Sequence, residues 1–516
     1  MNNSNESLGK RIGISLRDKS VTIIVIIFIA VGLYASEGLS VSFFINELLA
    51  RFFRNGFLVL ALIIPVVAGL GLNFGIVAGA LSGMLATMFV RYQGALECPD
   101  CAVLMAVDWN DKCAVFPECA AWSGWGGLSG LIICFLLALP LAALIGYLSG
   151  KLYNKTRGQE MIASLIVGFF ANAVYWLIAL IIVGTLIPVD PNHVMIIPGG
   201  VGIVSTFDMG MHPLQRIFDP EVHTVGLSYS LDWIWRVAFG PALAFLSAGI
   251  LAYIVTNNIR ARKNPAINKQ GKIMFIINCV LCLAFMLAGL HTWLLPGGII
   301  FHFGGGGSFT IPASPLTGVR EIPAVTIFVI IAVGLFSNYF LKTKLGQDCR
   351  SVGQSQHIAG VSGINVDRTR IIATIISTVL ASWGMIIWMQ NVGTVNTYGA
   401  HTNIGFFAVA SLLVGGGSMS KATVKNAMIG TILFHAMFIV SPHIGSLIAP
   451  ENANVGEYTR TFMVYGIIAV SLSMHIWKSR KTEKEKGSLA ALEREDAVQR
   501  FKDSFNLQEP GEENKG

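Results

Sequence analysis

The sequence predicts an all-α, polytopic membrane protein of about twelve spans. Three observations predict it: 53% of the 516 residues are hydrophobic, only 13% are charged, and the charges gather between long uncharged runs. A soluble domain carries roughly a quarter charged residues. A helix rises 1.5 Å per residue, so about 20 apolar residues cross a bilayer. Such runs fall near 20–36, 57–73, 74–90, 126–149, 161–187, 237–256, 273–295, 322–341, 371–391, 404–420, 426–441 and 461–477.

The first run follows a basic start, residues 1–19, as a secretory signal would. Leu33-Tyr34-Ala35-Ser36 lacks the small-x-small cleavage pattern, so the run is read as a retained anchor. Between Leu39 and Gly56, Phe43, Phe44, Leu48, Leu49, Phe52 and Phe53 recur at helical spacing against Asn46, Glu47, Arg51 and Arg54. That pattern suits a helix lying in the outer interface. Phe57 to Val90 reads as two short helices joined around Ala68 to Gly75. Irregular backbone at membrane depth is tolerated where protein or a water-filled cavity surrounds it. Glycines that merely let helices pack closely are the other reading, and Asn73 favours a cavity. A second glycine break, LLVGGGSMS, runs from Leu412 to Ser420. Two interrupted spans in corresponding halves suggest two inverted repeats with a path between them.

The orientation follows from the basic residues, which are retained on the cytoplasmic side. With the amino terminus inside, most of the 36 Lys and Arg fall on inner segments or in the charged tail, 478–516. Both termini are then cytoplasmic, and the formal net charge of +7 reports topology and lends no support to a nucleic-acid partner. The tail reads as a solvated segment. The outer loop 91–125 carries Cys98, Cys101, Cys113 and Cys119. Facing an oxidising compartment, these four are candidates for disulfides, with free thiols and zinc as the other readings. Cys134, Cys279, Cys282 and Cys349 read as packing residues.

None of the twelve runs contains Asp, Glu, Lys or Arg. An ion-coupled carrier usually keeps an ionisable residue in the membrane, so carrier chemistry loses weight, although carbonyls and hydroxyls alone can hold sodium. His291, His435 and His475 read as packing or interface residues. No phosphate-binding loop and no hydrolase motif occurs. The chain is therefore not expected to be an enzyme, no metal site is expected, and ATP, if used, binds another chain.

The segments NGFLVLALIIPVVAGLGLNFGIVAGALSG, GYLSGKLYNKTRGQEMIASLIVGFFANAV and NIGFFAVASLLVGGG occur in this order, with the polar stretch 342–370 between the last two. In this order the chain resembles the permease subunits of bacterial ABC importers for ribose-type sugars, nucleosides and branched-chain amino acids, and is most similar to the nucleoside and simple-sugar branch. The resemblance implies a type II importer fold over residues 20–477, in the bacterial cytoplasmic membrane. It implies a coupling helix in the pattern met by Gly346, Arg350, Gly353, Ala359, Gly363 and Ile364. It also implies ABC ATPase subunits carrying ATP and Mg, a second permease subunit, and an extracytoplasmic solute-binding protein or lipoprotein, all working in a lipid bilayer. No cofactor is expected on this chain. Candidate path residues are Asn73, Phe74, Asn172, Trp388, Gln390, Asn391, Phe406 and Phe407, because aromatic faces with amides suit a sugar ring or nucleobase. Gln354-Ser355, Ile358 and Leu72-Asn73-Phe74-Gly75 depart from the family pattern. An ion-coupled secondary transporter or channel is the alternative, and a receptor or scaffold without transport is a third reading.

Overall fold

A computed structural model describes residues 20–35, 39–96, 127–191, 193, 195–208, 236–263, 272–294, 299–303, 307–311, 316, 319, 322–419, 421–449, 451–452, 454–470 and 473–474. Cys98, Cys101, Cys113, Cys119, His475 and the segments 1–19 and 478–516 lie outside the described residues.

The chain folds as α1 Ser20–Ala35, α2 Val41–Ala61, α3 Ile63–Val67, α4 Ile76–Leu96, α5 Gly127–Lys155 and α6 Glu160–Leu177, the last continued by a π-turn at Ile178–Ile182. There follow α7 Phe239–Lys263, α8 Lys272–Leu294, α9 Ala324–Phe340, α10 Lys344–Gln354, α11 Gln356–Val361, α12 Val366–Val392, α13 Ile404–Val414 and α14 Val424–Ile448. A last helix, α15, covers 454–470. Among the described residues seven helices are long and apolar enough to cross a membrane, or eight if the pair α9 and α10, bent by 74°, is one span. Val21–Tyr34, Ile76–Tyr92 and Ile404–Val414 are shorter apolar helices. The protein is thus an all-α polytopic membrane protein.

One sequence expectation is corrected here. The helix placed in the outer interface and the span after it form one stretch, Val41–Val67, of 27 residues. The apolar spacing of Phe43 to Phe53 continues in phase into Phe57, so nothing interrupts the helix until Leu62. Glu47, Arg51 and Arg54 therefore lie within a candidate span.

Helix α12 is the centre of the bundle, packed against α2, α4 and α5. Small residues let it in: a Cβ on Gly79 of α4 would sit 2.6 Å from the Thr378 carbonyl oxygen. Hydroxyl and indole donors on α12 then satisfy neighbouring carbonyls. Ser377 Oγ donates to Ala61 O at 2.9 Å, where α2 gives way to α3, Thr378 Oγ1 to Ala142 O at 3.1 Å, and Trp383 Nε1 to Phe135 O at 3.2 Å. In apolar surroundings an unmet carbonyl is costly. Helices α7 and α8 pair with each other.

Both glycine breaks lie at the end of the bundle that carries α10. At the first, a Cβ on Gly69 would stand 2.8 Å from Gly353 Cα. At the second, Thr22 Oγ1, near the start of α1, donates to Val414 O at 2.6 Å, and Gly334, near the end of α9, faces Val424. The breaks are turns between helices, with Gly69, Gly71 and Gly416 in the left-handed region. The opposite end holds a two-stranded antiparallel clasp, β1 Thr206–Asp208 with β2 Thr394–Asn396.

Candidate functional site

The segment 342–370 is punctuated by side-chain caps. Thr343 Oγ1 accepts from Gly346 N at 3.3 Å and starts α10, Ser355 Oγ accepts from Ile358 N at 3.3 Å and starts α11, and Asn365 Oδ1 accepts from Arg368 N at 3.0 Å and starts α12. Each side chain satisfies an amide left open by a helix start. Ser355, a departure from the family pattern, is thus the residue that separates α10 from α11.

The six residues expected to couple this segment to a partner fall into two groups and one outlying cation. Gly346 and Gly353 are sites of close approach. A side chain on Gly346 would collide with the Phe340 carbonyl, and one on Gly353 with the Val67 carbonyl of α3. Cys349, fully buried between them, packs with Ile64, Ala68 and Leu70, and its burial pushes the thiol up to about 12. Ala359, Gly363 and Ile364 build the exit from α11. Ile364 N donates to Ala359 O at 3.0 Å and Gly363 N to Gly360 O at 3.0 Å. That is the paired Schellman arrangement, which needs a left-handed residue in the middle. Gly363, at φ 83°, supplies it. Arg350 points outward and is exposed.

Around this segment the chain closes a clamp that sequence reasoning missed. Arg370, with no exposed side-chain surface, donates from Nη2 to Glu160 Oε1 at 2.6 Å, Arg157 pairs with Asp367, and Asn154 Nδ2 donates to Asp367 O at 2.9 Å. The loop between α5 and α6 is thereby fixed to the start of α12. In the sequence these residues register only as inner-loop charges.

The expected path residues separate into two cavities and a turn. Asn73 is 1% exposed; its Oδ1 accepts from Gly75 N at 3.0 Å and from the buried Tyr153 hydroxyl at 3.3 Å, so it shapes the first break. Phe74, Asn172 and Phe406 meet in a cleft between α4, α6 and α13. The Phe74 and Phe406 rings stand 5.5 Å apart, and Tyr465 lies 5.6 Å beyond Phe406. Asn172 is also hydrogen-bonded to His401, whose ring stacks edge-on against Tyr175. Burial lowers the His401 pKa to about 4.

Trp388 and Phe407 line a second cavity, on the other face of the start of α13. Arg51, Arg54 and His435 share its wall. Asn391 accepts from Arg54 Nε, and Gln390 is buried nearby on α12. Arg51 and Arg460 each place a guanidinium 4.7 Å from the Phe438 ring centre. The signal for Arg51 and Arg54 was present in the sequence, as two cations three residues apart in an aromatic-rich run. Assigning that run to the interface hid it.

The fold and site define a polytopic helical membrane protein with a capped helical segment wedged between α3 and α12. Residues 223–471 match the family described as branched-chain amino acid transport system / permease component. Over 112 residues the chain is 30% identical to the probable ABC transporter permease protein YphD of Escherichia coli, covering 22% of this chain and 33% of that one. Over 109 residues it is 31% identical to the nucleoside ABC transporter permease protein NupB of Lactococcus lactis, covering 20% and 29%. Over 249 residues it is 23% identical to the galactose/methyl galactoside import permease protein MglC of Haemophilus influenzae, covering 47% and 67%. The chain thus spans about a third of the length of the first two of these curated relatives. No solved structure matches it. By these matches the chain is related to ABC-transporter permeases.

Proposed function

We propose that this chain is the membrane-spanning permease subunit of an ATP-driven importer for a small polar solute, a nucleoside or simple sugar. It crosses a bacterial cytoplasmic membrane about twelve times, with both termini and the segment from Lys342 to Arg370 in the cytoplasm. The observation that carries the reading is the seat of α10 and α11. Gly353 lies against α3, and the Schellman turn with its Asn365 cap leads straight into α12. A rigid-body displacement of this unit reaches both elements at once. Its outer surface bears Arg350 and two exposed apolar side chains, Ile358 at 66% and Val361 at 79%. That surface suits a protein partner, here an ABC ATPase subunit carrying ATP and Mg. A second permease subunit, identical or homologous, and an extracytoplasmic solute-binding protein complete the assembly. The aromatic cavity of Phe74 and Phe406, with the amide of Asn172, suits a sugar ring or nucleobase.

Reconstitution with the partner ATPase tests the reading. Arg350→Glu is expected to abolish solute-stimulated ATP hydrolysis and uptake while the chain remains folded; unchanged stimulation removes the docking role. Arg51 and Arg54 inside a candidate span favour a second reading, an ion-coupled carrier. Uptake by the isolated chain under an ion gradient alone, without ATP, distinguishes it.

A further inference from the structure

We propose that a groove between α2, α9 and α14 is a phospholipid site, which takes an acyl chain along its length and an anionic headgroup at the end that carries α10. This site stands apart from the importer reading and needs no solute, ATPase or transport step.

The groove is lined by Phe52 of α2, by Ile327, Ile331, Leu335 and Asn338 of α9, and by Met428 of α14. Deepest in it are Ile330, 3% exposed, and the buried Gly334, whose missing side chain lets α9 approach Val424. Ile331 and Leu335 stand on its rim, exposed. Two of the three walls, α2 and α14, belong to candidate spans. Hydrocarbon, not water, therefore faces the opening.

The order of chemistry along α9 singles out a phospholipid. Ile327 and Ile331 are apolar, Asn338 is an amide, and Lys342, four residues further on, continues the same helical row. Asn338 makes no hydrogen bond among the described residues, and an amide facing lipid needs a polar partner. Hydrocarbon, ester and phosphate follow one another in that order in a glycerophospholipid. The length agrees: from Ile327 to Asn338 the helix rises about 16 Å, close to one leaflet of a hydrocarbon core about 30 Å thick.

The headgroup end is cationic. Lys342 is accompanied there by Lys425, beside Val424 on the first turn of α14, and by Lys421 just before that helix. All three are exposed, and no ion pair among the described residues uses them. Lysines at span ends commonly reach for headgroups. Here three stand at one end of one groove, and an anionic lipid brings their counter-charge. A second copy of the chain, paired symmetrically in the same membrane, would set lysines against lysines.

Phosphatidylglycerol and phosphatidylcholine with the same acyl chains are the probes. The purified full-length chain is titrated with each in a neutral detergent, and retained lipid is counted by native mass spectrometry. One molecule of the anionic lipid is expected to bind roughly tenfold or more tighter than the zwitterionic one, each lysine contributing about fivefold. Lys342→Gln with Lys425→Gln removes most of that preference, and Ile331→Trp, which fills the groove, removes retention of both lipids. Lys151→Gln with Lys155→Gln, an exposed basic pair on α5, which lines no part of the groove, leaves the preference intact. Equal retention of the two lipids, a preference unchanged by the Lys342 and Lys425 substitutions, or an equal loss in the α5 pair overturns the proposal. So does a dimer that Ile331→Trp abolishes while lipid retention stays the same, since a second copy then owns the groove. Should Ile331→Trp fail to fold, the two lysine pairs still decide.

Discussion

The seat of α10 and the surroundings of the start of α13 are built on opposite principles. At the end carrying α10, backbone meets backbone: Gly353 lies on Val67 and Gly69, Asn73 is locked by Tyr153, and Arg370 is paired with Glu160. Around the start of α13, side chains surround space, in one cleft lined by Phe74, Asn172 and Phe406 and another lined by Trp388, Phe407 and His435. The first is packed without slack, and the second leaves room between side chains. The difference teaches that the glycines and the aromatics of this chain serve separate tasks.

The contrast breaks most easily at the buried ion pair. Glu160→Gln strips Arg370 of its counter-charge and is expected to cost about 3–5 kcal/mol, read as a loss of folded protein on heating in detergent. A change below 1 kcal/mol would mean that the clamp is decorative. Next comes Gly353→Val, which overpacks the contact with α3. Its expected cost is about 1–3 kcal/mol by the same measurement, whereas Gly360→Val, at a position with open space, is expected to cost less.

The surroundings of the start of α13 respond differently. Phe406→Ala is expected to raise the KM for uptake by roughly three- to tenfold, the worth of a ring contact of about 0.5–1.5 kcal/mol, with little effect on unfolding. A matching loss of stability would instead make Phe406 a core residue. His401 adds a pH dependence. Its pKa falls from 6.5 to about 4 on burial, so the unfolded chain binds the proton more readily over that interval. Stability is unaffected above pH 6.5 and is lost as pH falls from 6.5 toward 4. His401→Asn is expected to flatten that slope. The smallest effect is assigned to Arg157→Gln, which breaks an exposed pair worth about 1 kcal/mol or less.

Much of the segment from Lys342 to Arg370 was legible in the sequence, because its logic is local. Caps, glycine spacing and the Ala359 to Ile364 exit are written within a few residues of one another. The cavities were only partly legible. Phe74, Asn172 and Phe406 were picked for their chemistry, but their meeting depends on three helices remote in sequence. Asn73 was read as facing a cavity, whereas a hydroxyl 80 residues away holds it in a turn. Arg51 and Arg54 were assigned to an interface because aromatic and aliphatic residues recur at helical spacing opposite them. Here a 27-residue stretch carries them.

The central claim is that Gly353 lets α10 and α11 pass a partner's motion into the bundle. The direct test is solute-stimulated ATP hydrolysis by the reconstituted assembly carrying Gly353→Val, beside co-purification of the ATPase. The account predicts that the ATPase still binds but that stimulation and uptake fall more than tenfold, about 1.4 kcal/mol or more. Full stimulation and uptake in that variant would contradict it.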